Sequence, residues 1–574
     1  MLTVFINWLY IFFITSLLGY GGYLLFKKVT KINISITLMG CLVTGIVLST
    51  VYAEFFSIFH KIGFLANVIL LVICISIFAF QHKVIIQNSI AFIKKLFSKK
   101  NICSSTLLYL FMIALFAFYT SRGAIHTDTS LYHAQAIRWY EEYGVVKGLG
   151  NLQWHCAYNT SYLAFAALFS MRFIFGTSLH CTTGYLAVMF CIWAIAQLKD
   201  FFKRNSHIGD FICIGILVYA LVNITGSVSP ASDYATMFMA LYLMARWAKE
   251  IESSTPDTDV FSLLSVLAVY VCTLKLSAGM LVLLAIYPAV LLIKDKKVKS
   301  ILLYLGMGII TLAPFIIRNI IISGWLIYPF AAIDLFNVDW KVPVQYVTID
   351  SNQIKVWVRC LYDAKLIDLP ISEWGPIWWV NQERYAQMLI LANILSICLS
   401  FISLCHKLIK KEKLNINVLL LFTTTILCLI SWFLLAPFIR YGLAFLIAIP
   451  GMALGIWLSN KKTGFYGLVS GGIVFLMFFT VIPYLDHYFN DDLVFISQYA
   501  RDPYYIVQRD YETSDMDTYD MNGVTIYCPK DGQITGYQYF PASSYDYMIK
   551  CTALRGSDIK DGFKNIEYIN TAAE

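Results

Sequence analysis

Long apolar runs alternate with short polar breaks along most of the chain, and lysine dominates the breaks. The runs lack the strict period-two alternation of half-buried strands. They are long enough for helices that cross a bilayer, about 16–25 residues each. They fall near 4–26, 34–58, 63–81, 104–121, 180–198, 208–224, 233–248, 259–274, 276–293, 301–318, 386–406, 416–436, 441–458 and 464–484. The pattern predicts an all-α polytopic membrane protein of about 14 transmembrane helices. Beyond 485 the character changes. The stretch 486–574 is polar and rich in Tyr, Asp and Gly, and NGVTIYCP and DGFKNIEYI read as short strands or turns. A small C-terminal α+β domain is expected there.

Basic residues set the expected orientation. The clusters are Lys27, Lys28 and Lys31; Lys94, Lys95, Lys99 and Lys100; Lys199, Lys203 and Arg204; Lys294, Lys296, Lys297 and Lys299; Lys407, Lys410, Lys411 and Lys413; and Lys461 with Lys462. All six fall on the cytoplasmic side if 157–176 does not cross. That stretch, AYNTSYLAFAALFSMRFIFG, is read as a helix lying in the outer interface. Both termini, the loops 122–179 and 319–385, and the C-terminal domain are then extracytoplasmic. The first run lacks a basic leader and a small-residue cleavage site, so it reads as a span rather than a signal peptide.

Composition agrees. Of 574 residues, 59% are hydrophobic and only 14% charged, against about 25% charged in soluble domains. The formal charge of +8 resides in the short loops, so no nucleic-acid partner is expected. No Cys-x-x-Cys pair occurs, which leaves zinc and thiol-redox motifs out. Cys528 and Cys551 are candidates for a disulfide in an oxidising compartment, and Cys156 with Cys360 are weaker ones.

Candidate chemistry gathers at the outer ends of the runs. His126, Asp128, Tyr132 and His133 open the first large loop, with Arg138, Glu141 and Glu142 behind them. Asp128 is either the cap of a helix over 129–143 or a carboxylate placed for proton transfer. Asp233, in SVSPASDY, starts a span, and a capping carboxylate is its simplest reading. Lys275, in TLKLSAG, sits between two apolar runs, where snorkelling is the cheaper explanation. Arg318 interrupts PFIIRNIIISGWLIYPF, and an intramembrane ion usually pairs or faces a cavity. Arg440, in APFIRYG, has the planar fork suited to phosphate. Glu54 lies inside an apolar run with no evident role.

At HTDTSLYHAQAIRWYEEYGVVKGLGNL the chain resembles the bacterial polytopic membrane glycosyltransferases of GT-C type. That superfamily includes protein O-mannosyltransferases, the lipid A aminoarabinose transferase and oligosaccharyltransferases. SPASDY, KLSAG, RNIIISGWLIYP and IRYG resemble its later outer-face motifs. The resemblance covers roughly residues 100–485, a coarse bound. It makes 1–103 an N-terminal transmembrane extension, 104–485 a GT-C-like domain and 486–574 a soluble extracytoplasmic domain. It implies transfer of a sugar from a polyprenyl-phosphate donor to a glycan, lipid or protein acceptor at the outer face of a bacterial cytoplasmic membrane. Asp128 would be the catalytic base, and Lys275, Arg318 and Arg440 would hold the donor phosphate. Asp233, His126, His133 and Tyr132 would be a second acid, acceptor contacts or ligands of a divalent cation, Mg or Mn. The sequence departs from the pattern in having His126-Thr127-Asp128 in place of Asp-x-Asp. A polysaccharide polymerase or ligase, and a lipid-linked saccharide flippase, are the competing readings.

Overall fold

The computed structural model describes residues 1–96, 105–122, 126–199, 201, 204–458 and 504–566. The expected span 464–484 and Lys99, Lys100, Lys203, Lys461 and Lys462 lie outside them. At every other expected span a helix is found. In chain order these and the intervening helices are α1 (Leu2–Thr30), α2 (Leu38–Phe59), α3 (Phe64–Leu96), α4 (Ser105–Ser121), α5 (Ala134–Glu142), α6 (Ser161–Leu168), α7 (Thr182–Leu198), α8 (Ile208–Val222) and α9 (Ser232–Ile251). Then come α10 (Thr258–Leu274), α11 (Ile286–Lys294), α12 (Val298–Ser323), α13 (Val344–Val358), α14 (Ile371–Val380), α15 (Arg384–Ile409), α16 (Ile416–Leu435) and α17 (Ile439–Leu458).

Eight helical segments among the described residues are long and apolar enough to cross a membrane: α1, α2, α3 through Ala91, Leu276–Lys294 (a 3-10 stretch leading into α11), α12, α15, α16 and α17. The protein is therefore a helical, multi-pass membrane protein. Helices α4, α7, α8 and α10 are apolar but shorter, at 15–17 residues. Many exposed side chains on the long helices are apolar, as on α12, where Leu302, Leu305, Ile309 and Ile310 project outward. In water such a surface would be a liability, whereas acyl chains solvate it.

The core is centred on α9, whose residues are almost all buried. Helices α7, α8, α10, α16 and α17 pack around it. The first helices are built into this bundle. On α1, Asn7 donates to the Phe169 carbonyl at 2.6 Å and Trp8 to the Cys181 carbonyl at 2.9 Å. Helices α1 and α2 cross at backbone contact. A Cβ added at Gly19 would lie 1.8 Å from the Cys41 carbonyl oxygen, and one at Gly45 would lie 1.8 Å from that of Thr15. Small residues at such a crossing let two membrane helices pack by van der Waals contact.

The 157–176 stretch is not an interfacial helix. Its residues Ser161–Leu168 form α6, all of them buried, and α6 packs against α2, α5, α9 and α10, whereas Arg172–Phe175 form a separate short helix on which Ile174 and Phe175 are exposed. Eight residues span about 12 Å, far short of a bilayer. Its apolar side chains serve a protein core, a fate that hydropathy cannot distinguish from lipid contact.

The C-terminal segment holds two small antiparallel sheets. Strand β1 (Met516–Met521) pairs with β2 (Val524–Pro529), and β3 (Thr552–Leu554) pairs with β4 (Phe563–Asn565). The first hairpin turns at Asn522 and Gly523, both at positive φ, as a two-residue type I′ loop requires. The segment is docked on the bundle. The Met1 ammonium donates to the Tyr504 carbonyl at 2.5 Å, so the start of α1 and the start of this described segment share one end of the bundle. Gln508 receives the His180 amide at 2.9 Å and donates to the Thr120 carbonyl at 2.7 Å. Cys528 and Cys551 are buried and free, as are Cys156 and Cys360 at lower burial for the last. Neither candidate disulfide is formed.

Candidate functional site

Asp128 stands just before a π-helical turn, Thr129–His133, that runs into α5. The wide turn is held from two directions. Thr129 and Ser229 share a hydroxyl hydrogen bond at 2.7 Å. From the C-terminal segment, the Gly536 amide donates to the Ser130 carbonyl at 2.8 Å, and Thr535 donates to that of Leu131 at 2.9 Å. Gln135 donates back to the Gly536 and Tyr539 carbonyls. The Asp128 side chain makes no capping hydrogen bond. It points at Arg440, whose Nη2 donates to Oδ2 at 3.1 Å.

Asp233 also is not a cap. It lies in the first turn of α9, one turn inside a bundle of apolar helices, and its carboxylate is taken by two cations. Lys275, where α10 ends, donates to Oδ1, and Arg440 Nε lies 2.8 Å from Oδ2. Lys275 does not snorkel away: its ammonium sits 3.1 Å from the centre of the Tyr441 ring, a cation–π contact. Asp128, Asp233, Lys275 and Arg440 thus meet at one end of the bundle, brought from four separate segments. Their side chains are 31%, 6%, 22% and 17% exposed respectively. Asp128 is the most open member.

Imidazoles and tyrosines extend the cluster. His126 Nδ1 is 3.8 Å from Asp128, and the His126 and His133 rings are 6.2 Å apart. The Tyr132 ring lies 4.3 Å from that of His133 and 5.3 Å from that of His155. Burial holds His126 down at about 4, helped by Arg440, and holds His133 down at about 3. Both rings are therefore neutral at pH 7. Desolvation pushes the Asp128 carboxyl up, but His126, His133 and Arg440 outweigh it and leave it below the usual carboxylate range. With the imidazoles neutral, the Arg440 guanidinium is the permanent contributor. Asp128 is ionised at neutral pH and can accept a hydrogen bond.

Arg318 is the expected site residue that the fold sends elsewhere. It is wholly buried; its Nη1 donates to Glu54 at 2.7 Å, and its guanidinium lies 4.7 Å from the Tyr140 ring centre. Ser161 donates to the same Glu54 oxygen at 2.8 Å. This pair joins α2, α6 and α12 and gives Glu54 the role that its sequence position did not reveal.

A divalent cation does not fit this arrangement. Among the described residues no three His, Cys, Asp or Glu side chains form a metal-holding group. Both carboxylates of the cluster already face Lys275 and Arg440, which occupy the positions of positive charge that a metal would need.

The match to known families is consistent with a bundle that begins at the first helix. Residues 1–447 match the family described as "Domain of unknown function (DUF8201)". The chain belongs to this family. The matched region contains every candidate site residue named above and ends within α17. No curated protein and no solved structure matches the chain.

Sequence reasoning did not find His155, Tyr158 or Asp350. Asp350 is a further acid brought to this end of the fold. Tyr158 donates a short hydrogen bond to Asp350 Oδ1, and the Tyr158 ring lies 5.6 Å from His155 and 5.8 Å from Tyr132. A carboxylate in the polar run VTIDSNQ looks solvent-exposed in sequence, and nothing local marks it as 2% exposed.

Proposed function

We propose that this protein is a membrane-embedded glycosyltransferase of GT-C type, moving a sugar from a polyprenyl-phosphate donor to a hydroxyl acceptor at the extracytoplasmic face of a bacterial membrane. The observation that carries this reading is the meeting of an open, ionised Asp128 with Arg440, Lys275 and Asp233 at one end of an apolar bundle. Such a site joins a proton acceptor to phosphate-binding cations beside a lipid phase.

In the reaction, the acceptor hydroxyl oxygen forms a bond to the anomeric carbon of the donor sugar. The bond from that carbon to the phosphate oxygen breaks, and its electron pair leaves with the polyprenyl phosphate. The hydroxyl proton passes to Asp128, within reach of a bound acceptor because it is the more accessible of the two carboxylates. Arg440 and Lys275 face the negative charge that grows on the leaving phosphate. The ammonium of Lys275 has three protons, of which Asp233 takes one, so donors remain for a ligand. Asp233 fixes both cations in place. Arg318 has no part in phosphate binding here.

The charged groups crowd toward one end of the bundle instead of lining a path through it, which favours a transferase over a flippase. The test is turnover by the purified full chain in nanodiscs with undecaprenyl-phosphate sugars and an extract of envelope glycan acceptors. Transfer by the wild type, lost in Asp128→Asn with folding retained, is the expected result. Near-normal turnover in that variant removes Asp128 from the mechanism. Labelling with a reagent that cannot cross the membrane is expected to reach cysteines placed in 504–566 and not those in 407–415. The reverse pattern overturns the assignment of the site to the outer face.

A further inference from the structure

Beyond the ion cluster, the same end of the molecule carries a second set of groups with opposite chemistry. Asp350, on α13, is buried and has no cation beside it. Its Oδ1 receives the Tyr158 hydroxyl, while Oδ2 has no hydrogen bond of normal geometry. The Tyr328 hydroxyl lies alongside this carboxyl, and its ring is 5.8 Å from that of Tyr158. Tyr158 leads to Tyr132 and His155, and Tyr132 leads to His133 and so to Asp128. Along this row the Nδ1 atoms of His133 and His155 are buried without hydrogen-bond partners. Buried polar atoms of native proteins are nearly always paired, so a row of unpaired ones points to a polar ligand or water.

The chemistry of the row selects the ligand. A carboxyl without a cation repels phosphate. A carboxyl oxygen, imidazole nitrogens and tyrosine hydroxyls set among aromatic faces suit a ring that offers hydroxyls at its edge and C–H groups on its face. We propose that Tyr132, His133, His155, Tyr158, Tyr328 and Asp350 form a sugar-binding subsite adjoining Asp128, with Asp350 as its principal hydroxyl-binding group. The inference rests on the transferase reading and deepens it: the cationic cluster takes the phosphate, and the aromatic row takes a sugar ring of the donor or of the acceptor. Burial pushes the Asp350 carboxyl up to about 6 against the opposing pull of the Tyr158 and Tyr328 hydroxyls. It is thus able to donate as well as accept near neutral pH.

The test is saturation-transfer NMR on the full chain in nanodiscs. The probes are free glucose, galactose, mannose, N-acetylglucosamine, rhamnose and arabinose, together with undecaprenyl phosphate with and without an attached glucose. The expected result is binding of at least one free sugar or a gain in affinity from the attached one, weakened about tenfold in Asp350→Asn. Binding of undecaprenyl phosphate itself should be unchanged. Tyr158→Phe and Tyr328→Phe, which remove only hydroxyls, serve if Asp350→Asn fails to fold, and should weaken the sugar signal in the same direction. A gain from the attached sugar assigns the subsite to the donor. A free sugar that binds beside saturating undecaprenyl-phosphate glucose assigns it to the acceptor. No sugar binding by the wild type, or equal binding by wild type and variants, overturns the subsite. The two readings fail separately. Sugar binding without any transfer sinks the transferase and leaves the subsite standing. Transfer at the wild-type rate in Asp350→Asn does the reverse.

Discussion

Two of the buried ion-pair systems among the described residues lie a few helices apart and differ in what surrounds them. Glu54 and Arg318 are 1% and 0% exposed, and Ser161 and the Tyr140 ring close the space around them. Asp128, Asp233, Lys275 and Arg440 share their charges four ways, and Asp128 remains open. Beside them stand neutral imidazoles with unpaired nitrogens. The first system locks helices together. The second has the openness that a ligand needs. Burial and charge alone do not separate a structural pair from a site, and neither do unpaired nitrogens, since Arg318 Nε and Nη2 are also buried without partners; access does.

Variants sharpen this contrast. The largest effect is expected for Asp128→Asn, which should lower turnover about 10²–10⁴-fold, the usual contribution of a positioned acid or base. Its thermal midpoint in detergent should stay near that of the wild type. A midpoint that collapses with activity would make Asp128 a structural member like Glu54. Arg318→Ala should act the other way, costing about 3–5 kcal/mol because it strands the buried Glu54 charge. Thermal unfolding followed by tryptophan fluorescence reads this loss, and a double change of Glu54→Leu with Arg318→Met should recover much of it. A well-folded Arg318→Ala that has lost only donor binding would erase the distinction.

Smaller effects lie outside both systems. Gly45→Leu should cost about 1–3 kcal/mol by overpacking the α1–α2 crossing, measured in the same unfolding assay. Wild-type stability in place of that loss would mean that the helices separate freely. Acidification should also destabilise the fold. Burial holds His126 and His155 at about 4 and His133 at about 3, below the ordinary imidazole value of about 6.5. The unfolded chain therefore takes up protons first as pH falls from about 6.5 toward 4. Each imidazole then costs at most about 1.4 kcal/mol per pH unit across that window. Asp350, raised to about 6, works against this trend, since its folded form gains from protonation. His133→Asn should flatten the fall in thermal midpoint between pH 7 and 5. The smallest expected effect is that of a reducing agent, because Cys528 and Cys551 are free. A lowered midpoint on reduction would show that they are bridged.

The sequence by itself determined the class of protein and the position of its helices. Long apolar runs have few stable fates, since every backbone amide within a bilayer must be bonded inside its own helix. NGVTIYCP likewise read as a short strand or turn, and the structure makes it a hairpin bent at Asn522 and Gly523, both at positive φ. Asp128, Asp233, Lys275 and Arg440 were visible because charge at the end of an apolar run is locally anomalous. Their union was an expectation from the resemblance that no local pattern could show. Arg318 looked like their companion and instead met Glu54, 264 residues away in sequence. Asp350 looked like an ordinary loop acid and is buried beside Tyr158. The 157–176 stretch looked like a membrane-surface helix and became the buried α6. Hydropathy is a property of neighbours in sequence, whereas the partner of a charge and the side of a helix that meets lipid are fixed by long-range packing, and that only the tertiary structure decided.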